Sequence, residues 1–287
     1  MKIGIVGNGF VGSSVAFGFS AQTGCDANVK IYDKDSSKGT HSLSEVINTS
    51  DYIFVSVPTP SNPDGSISLD IVNSVFEEMN DLNNRKDNIF LLRSTVTPGS
   101  TRKIQRKCKN LNIVFNPEFL TERSAKLDFI NQARFILGGR KKDINKVEKL
   151  YRWRFGSTTP IIKTNYETAE LIKYMNNCYF ATKVSFLNEM YQIADGCGAD
   201  WDTAVEGFVR DGRVGHSHMN VPGPDGKFGF GGSCFPKDIQ AMIHFAQTLD
   251  VYPDVLIGAW EKNLDVRPEE DWKELKGRAV VDGDDDV

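Results

Sequence analysis

The chain of 287 residues has no long apolar run and no excess of basic residues. No stretch approaches the roughly 18 uninterrupted apolar residues of a membrane-spanning helix, and the opening MKIGIVGNGF shows no signal-peptide cleavage pattern. Lys and Arg number 34 against 38 Asp and Glu, so the net charge of -4 does not suggest a nucleic-acid-binding surface. We therefore expect a soluble globular protein of the cytoplasm that binds neither membranes nor nucleic acids.

Cysteine is scarce and irregularly spaced. An odd number of five residues, widely separated, favours neither a disulfide framework nor a zinc site, and we expect no metal. Cys178 and Cys197 fall in or at the end of a predicted long helix and are interpreted as core, whereas Cys25 and Cys108 look incidental. The remaining cysteine, Cys234, is a candidate reactive thiol.

Apolar, β-branched runs alternate with helical patterns through the first half of the chain. Strands are predicted at residues 2–6, 29–32, 52–57, 89–92 and 113–115, with a candidate sixth at 134–137. Such alternation is typical of βαβ units. It predicts an α/β fold with a doubly wound parallel sheet that carries helices on both faces.

The second half reads as helical, beginning with one long helix over residues 165–195, which Thr164 and Glu167 could start as a capping box. Its apolar residues surround too much of the helix for one supporting face, which suggests a subunit interface as well as a core. Further helices are predicted at 201–209, 236–249 and 253–264. We therefore predict a dinucleotide-binding domain at 1–163, an all-helical domain at 164–268 and a short acidic tail at 269–287.

A glycine pattern follows the first predicted strand. In GIVGNGFVG, Gly7, Gly9 and Gly12 would let a pyrophosphate approach the start of the first helix. Asp33 ends the second strand, where a carboxylate can bind an adenosine ribose and repel a 2′-phosphate, so NAD is favoured over NADP. The neighbouring Lys34 weakens the preference for NAD. The alternatives are a tight strand-to-helix turn for the glycines and a solvated surface residue for Asp33.

Cys234 lies in GFGGSCFPKD, after glycines and just before Pro236, at the predicted start of a helix. A helix N-terminus and the ammonium of Lys237 both favour a thiolate. Cys234 is therefore the best candidate nucleophile of the five, and a small buried hydrophobic residue is the weaker alternative.

Polar residues also follow the predicted strands. Residues 57–60, 94–99 and 116–122 come after the third, fourth and fifth strands, so Glu118 and Glu122 should lie at the carboxyl edge of the sheet. Lys173 and Asn177 are four residues apart on the long helix and share one face, although a surface lysine beside a polar position is the simpler interpretation.

Six segments in order resemble the UDP-glucose/GDP-mannose dehydrogenase family: GIVGNGFVG, VPTP, STVTPG, NPEFLTE, AELIKYMNN and GFGGSCFPKD. The resemblance implies a Rossmann-type domain, a helical dimerisation domain and oxidation of the C6 alcohol of a nucleotide sugar to a carboxylate with two molecules of NAD. It also implies a homodimer formed through the long helix.

The resemblance assigns roles to matching positions. Cys234 would capture the aldehyde, Lys173 with Asn177 would stabilise charge on the C6 oxygen, Thr95 and Asp238 would position a water, and Glu118 would transfer protons. The residues implied for the cofactor are Gly7, Gly9, Phe10, Val11, Gly12, Asp33, Pro58, Thr95, Glu122 and Lys237. Those implied for the sugar nucleotide are Glu118, Phe119, Leu120, Lys173, Asn177, Arg213, Phe228, Gly231 and Cys234, with Arg213 reaching the neighbouring subunit's substrate.

The sequence departs from the family in two respects. Members usually continue into a third, Rossmann-like domain that helps bind the nucleotide, whereas this chain stops just after DWKELKGRAV, and VPGPDGK lengthens the loop before GFGGSC. The favoured function is UDP-glucose 6-dehydrogenase. The alternatives are a GDP-mannose or UDP-N-acetylmannosamine dehydrogenase, a catalytically silent NAD- or nucleotide-sugar-binding module, and a single-step hydroxyacid dehydrogenase.

Overall fold

The computed structural model describes residues 1–282, whose strands form a seven-stranded sheet in the order β2-β1-β3-β4-β5-β6-β7. The strands are β1 (Lys2–Val6), β2 (Asn28–Tyr32), β3 (Tyr52–Val55), β4 (Ile89–Leu92), β5 (Ile113–Phe115), β6 (Phe135–Gly139) and β7 (Ile161–Thr164). Because β1 lies between β2 and β3, the strand order reverses at β1, and ligands of such sheets bind beyond the carboxyl end of the strands at that point.

The sheet is parallel except at one pair. β5 and β6 run antiparallel, with Phe115 opposite Gly138, so the predicted parallel sheet is wrong there. An apolar strand pattern is the same whichever way the strand runs, which is why the sequence does not report this reversal. β7 is absent from the prediction because it is a short strand whose two central residues, Ile162 and Lys163, are exposed.

Helices join and follow the strands. They are α1 (Phe10–Gly18), α2 (Leu43–Thr49), α3 (Asp70–Leu82), α4 (Ser100–Lys107), α5 (Ala125–Ile130), α6 (Lys141–Phe155), α7 (Tyr166–Cys197), α8 (Trp201–Val209), α9 (Phe235–Gln247) and α10 (Asp254–Val266). Among residues 1–282, no helix has both the length and the hydropathy needed to cross a bilayer.

The long predicted helix is confirmed as α7, but its start differs. The side chain of Asn165 accepts a hydrogen bond from the backbone N–H of Thr168 at 2.8 Å, as an N-cap residue does. Thr164 is instead the last residue of β7, and Glu167 pairs with Arg102 of α4. The predicted capping box is therefore wrong because its two members are used elsewhere.

Alternating side chains of the strands enter two apolar layers. Ile53 and Val55 of β3 belong to one cluster with Phe76 of α3, whereas Phe54 belongs to the opposite cluster with Val15 of α1. All five side chains are fully buried. Helices thus cover both faces, as predicted, and the polar groups of the candidate site are left to the strand ends.

Contacts divide the chain into two compact units. The first comprises residues 1–59 and 69–173, and the second comprises 60–68 and the chain from Tyr174 onward. The first 59 residues and the sheet thus belong to unit 1, while α8, α9 and α10 belong to unit 2. The predicted limits at 163 and 268 remain a prediction about domain organisation.

The acidic, polar composition of the tail also predicts disorder, and this prediction is wrong for residues 269–282. Trp272 in the short 3-10 helix Asp271–Glu274 is 2 % exposed, and its ring lies 5.4 Å from that of Trp260. Ser61 donates its backbone N–H to the carbonyl of Ala279 at 2.9 Å. The composition of the whole stretch does not indicate these contacts, because only a few of its residues make them. Asp284, Asp285 and Asp286, which carry much of the predicted acidity, lie outside the described residues.

Candidate functional site

The turn after β1 contains three glycines. Two of them have no room for a side chain, and the third borders open space. A Cβ on Gly7, whose φ is +86°, would lie 2.4 Å from the carbonyl oxygen of Ser56, and one on Gly12 would lie 1.9 Å from that of Gly7. A Cβ on Gly9 would meet nothing within 4 Å. Gly9 precedes α1 and makes no side-chain cap. The turn thus exposes helical N–H groups beside open space, which suits a pyrophosphate.

Asp33 lies half-buried beside this turn. Its carboxylate accepts hydrogen bonds from the backbone N–H of Asn8 at 2.6 Å and of Asp35 at 2.9 Å. Asn8 also donates its side-chain amide to the carbonyl of Lys38 at 2.8 Å. The carboxylate of Asp33, which follows β2, is therefore held by hydrogen bonds at the edge of the sheet where a dinucleotide ribose would lie. Sequence reasoning missed the part of Asn8, which sits among the three glycines.

The loops after β3, β4 and β5 contact one another. The hydroxyl of Ser94 donates to the carbonyl of Val57 at 2.6 Å and accepts from its N–H at 3.0 Å. Arg93, 1 % exposed, donates to the side chain of Asn116 at 2.7 Å. The candidate residues differ in exposure: Thr95 is buried, whereas Pro58 and Glu122 are exposed.

Lys173 and Glu118 form a buried ion pair in unit 1. Lys173 Nζ lies 2.8 Å from Glu118 Oε1, and their side chains are 3 % and 8 % exposed. Burial alone raises the pKa of Glu118, but the charge and hydrogen bond of Lys173 and the N–H of Leu120 outweigh it and hold that pKa below its usual value. Lys173 is thus no surface lysine, and Glu118 is a carboxylate at neutral pH.

Phe119 lies beside this pair. Its ring centroid is 5.4 Å from Lys173 Nζ and 4.2 Å from the guanidinium carbon of Arg134, a residue that sequence reasoning missed. Phe119 and Arg134 also line a small groove with Asp128, Asn131, Gln132 and Ala133. The aromatic ring therefore shields one side of the Lys173 ammonium group. Both cations, Lys173 and Arg134, lie near the end of β5.

Glu170, on α7, is another buried acid, and the sequence did not indicate it as a candidate. Its carboxylate accepts the backbone N–H groups of Gly99 at 2.6 Å and Thr101 at 2.8 Å, where α4 begins. Burial raises its pKa to about 7 despite these hydrogen bonds. Glu170 therefore caps α4 from a distant helix and holds the end of STVTPG in place.

In unit 2, a polar chain follows Cys234. Cys234 is the N-cap residue of α9, and its carbonyl accepts the N–H of Asp238 at 2.9 Å. Asp238, 1 % exposed, receives hydrogen bonds from Asn177 at 2.6 Å and Lys237 at 2.5 Å. The structure thus brings three predicted polar residues together at the first turn of the helix that Cys234 begins, and Asn177 has a buried acceptor.

The cysteines differ in exposure. All five lie within the described residues and none is in a disulfide; Cys25, Cys108 and Cys178 are buried, Cys234 is half-buried and Cys197 is exposed. The interpretation of Cys197 as core is therefore wrong, because α7 ends at that residue. Burial raises the pKa of Cys25 and Cys178, and raises that of Cys108 to about 11. These three remain thiols at neutral pH.

Two candidates for substrate contact lie at the surface of unit 2. The side chain of Arg213 is 90 % exposed and pairs with Asp211, two residues before it in the same loop. Phe228 is 41 % exposed, and its ring lies 5.5 Å from that of Tyr191. Arg213 is thus accessible to solvent.

The sheet, the glycine turn and the acid after β2 together define a dinucleotide-binding protein with a Rossmann-type fold. The model of the UDP-glucose/GDP-mannose dehydrogenase family's NAD binding domain matches residues 26–154, and that of its central domain matches 167–264. The glycine turn itself precedes the first matched residue. The chain belongs to this family, whose members are oxidoreductases, and its cofactor is NAD.

Individual relatives agree. UDP-glucose 6-dehydrogenase AglM of Haloferax volcanii is 30 % identical, with 99 % of this chain and 74 % of that protein covered. A UDP-glucose dehydrogenase of Pyrobaculum islandicum superposes with a TM-score of 0.78 at 26 % identity, covering 91 % of this chain and 67 % of that one. For a GDP-mannose dehydrogenase of Pseudomonas aeruginosa, the TM-score is 0.69 at 28 % identity, with 93 % and 69 % covered. The chain spans about half the length of several other curated relatives it matches.

Proposed function

We propose that this chain oxidises the C6 alcohol of UDP-glucose to the carboxylate in two successive NAD-dependent steps. The observation that carries the proposal is the position of Cys234, a half-buried thiol at the start of α9 followed by the buried chain of Lys237, Asp238 and Asn177. A group that holds the intermediate aldehyde covalently allows its second oxidation before it escapes, and a cysteine at a helix N-terminus is suited to that task.

Each residue has a defined task in this reaction. NAD, when bound at the glycine turn, supplies a hydride acceptor for each oxidation. The Lys173 ammonium stabilises negative charge on the C6 oxygen as the alcohol gives its proton to the water that Thr95 and Asp238 would position. Cys234 adds to the aldehyde carbon to give a thiohemiacetal, whose oxidation leaves a thioester. Glu118, ionised at neutral pH, takes the proton of the water that hydrolyses the thioester, and the thiol leaves as the acid forms.

We also propose that the chain acts in the cytoplasm as a homodimer formed through α7. Along this helix, Met175, Tyr179, Phe186, Met190 and Ile193 are 62 %, 60 %, 50 %, 37 % and 53 % exposed. At about 100° per residue they fall within one face of the helix. Exposed apolar stripes of this kind are typical of subunit interfaces. The Arg213 side chain is 90 % exposed and is therefore accessible to a neighbouring subunit.

Two other functions follow from specific observations. The likeness to a GDP-mannose dehydrogenase, comparable in identity to that of the P. islandicum enzyme, supports a different nucleotide sugar. The second alternative is a binding module without turnover, in which the glycine turn and Asp33 would still hold the dinucleotide. Intact Cys234, Lys173 and Glu118 favour the catalytic function over the module.

The test is the yield of NADH from limiting UDP-glucose with excess NAD, run to completion. We expect two NADH per sugar. Cys234→Ser should stop acid formation and allow at most one slow oxidation, whereas Cys197→Ser, which changes an exposed cysteine at the end of α7, should match the unmodified protein. Full yield from Cys234→Ser would refute the covalent mechanism. No NADH from UDP-glucose, GDP-mannose or UDP-N-acetylmannosamine, with NAD still bound, would favour the module.

A further inference from the structure

A buried arginine joins the glycine-rich loop before Cys234 to two other segments of unit 2. Arg267, at the end of α10, is 2 % exposed. Its guanidinium donates to the carboxylate of Asp225 at 2.9 Å, to that of Asp271 at 2.7 and 2.8 Å, and to the carbonyl of Phe228 at 3.3 Å. Asp225 belongs to the inserted VPGPDGK, so this insertion is anchored rather than loose.

The same guanidinium occupies the space beside Gly231. A Cβ on Gly231 would lie 2.5 Å from Nη2, 2.6 Å from Cζ and 2.9 Å from Nε of Arg267. Gly231 is not among the glycines with positive φ, so its backbone would accept alanine. The requirement for glycine here comes from the arginine and not from the local turn.

Two asparagines fix the loop just before this contact. Asn263, one turn before Arg267 on α10, accepts the N–H of Phe230 at 2.7 Å and donates to its carbonyl at 3.1 Å. Asn188 of α7 accepts the N–H of Gly229 at 3.0 Å. Three successive residues, Gly229 to Gly231, are therefore held, and Cys234 follows three residues later.

The ion pairs make this arrangement stable despite burial. The Arg267 guanidinium holds the pKa of Asp271 well below its usual value, and Lys227, 2.9 Å from the same carboxylate, adds to the effect. A buried cation that loses its carboxylates is strongly destabilised, so the two carboxylates hold the guanidinium in this position. The loop that rests on it is thereby fixed in position.

We propose that Arg267 is a positioning residue for the Cys234 thiol. By packing against Gly231 and binding the segments that contain Asp225 and Asp271, it sets how the loop enters α9. The thiol is thus kept half-buried and aligned with the helix start. Arg267 touches neither substrate nor cofactor in this role, which rests on the proposed function of Cys234 as the nucleophile.

The test measures alkylation of Cys234 by iodoacetamide, followed on the Cys234 peptide by mass spectrometry, without NAD or sugar. Loosening the loop should raise the rate by about threefold or more in Arg267→Ala and less in Arg267→Lys, which keeps the charge but not the planar fork. The control is Arg210→Ala, because Arg210 has an exposed pair with Glu206 and should leave the rate unchanged.

A double-mutant cycle tests the contact directly. Gly231→Ala should raise the alkylation rate in the unmodified chain and add little in an Arg267→Ala background, where the obstructing guanidinium is gone. If the effects of Gly231→Ala and Arg267→Ala simply multiply, or if the folded Arg267→Lys protein is alkylated at the unmodified rate while only its thermal stability falls, Arg267 is structural and the proposal is overturned. These readouts need no turnover, so failure of the proposed function would show separately as absent NADH.

Discussion

Replacing Lys173 by methionine should destabilise unit 1 in a way that depends on pH. Methionine fills a similar volume but leaves the Glu118 carboxylate, with an 8 % exposed side chain, without its cation at 2.8 Å. Breaking a buried pair by removing one partner costs about 3–5 kcal/mol. We expect that loss near neutral pH, where Glu118 is ionised in the unmodified protein.

The sign of the pH dependence follows from the pKa of Glu118. In the unmodified chain the folded-state pKa lies below the usual value, so the pair's contribution is present at neutral pH and is lost as the pH falls through that pKa. Without Lys173, burial raises the same pKa, and the penalty grows as the pH rises. The stability difference should therefore shrink by roughly 1–2 kcal/mol between about pH 7 and pH 5.

Hydrogen exchange in β4 and β5 is the suitable assay because these strands report opening of unit 1 separately from unit 2. Lys173→Met, Glu118→Gln and the double variant complete a cycle, in which we expect the double variant to recover at least about 2 kcal/mol relative to additivity. Additive effects, or a stability loss that is the same at both pH values, would show that the two groups do not act as a buried pair.

Three further predictions concern other parts of the molecule. Because burial raises the pKa of Glu170 to about 7, its ionisation should cost the folded state up to about 3 kcal/mol as the pH rises from about 4.5 to 7, and urea unfolding of Glu170→Gln should lack this dependence. Gly12→Ala should lower the melting temperature, because a Cβ on Gly12 would collide with the backbone. Gly9→Ala should leave the melting temperature unchanged but weaken NAD binding in calorimetry, because a Cβ on Gly9 would fill the open space beside the turn. Phe186→Asp should shift sedimentation from dimer to monomer; an unchanged dimer would exclude this face of α7.

The sequence predicted those features that depend on neighbouring residues. The glycines after β1, the acid after β2 and the helix start at Cys234 are set by local backbone geometry, and the structure has them as expected. Alternating burial along β3 likewise follows from local pattern. The direction of β6 could not be predicted, because the pattern of apolar residues in a strand is the same whichever way the strand runs.

Features that depend on distant residues were missed. Glu170 caps α4 across roughly 70 residues, and Arg267 meets Asp225 across roughly 40. In the sequence, an acid inside a helix and an arginine near a helix end look like ordinary surface residues. Only their burial and partners reveal what they do.

Residues 60–68 belong to unit 2 although the chain on either side of them belongs to unit 1, and this affects folding during synthesis on the ribosome. Ser61 bonds to Ala279 and Val281, which are made more than roughly 200 residues later. At about 5–20 residues per second, this segment waits on the order of 10 to 40 s for its partners, while strands on either side of it can already pair. Unit 2 therefore cannot be complete until the last described residues have left the exit tunnel, and its assembly should be the slower of the two.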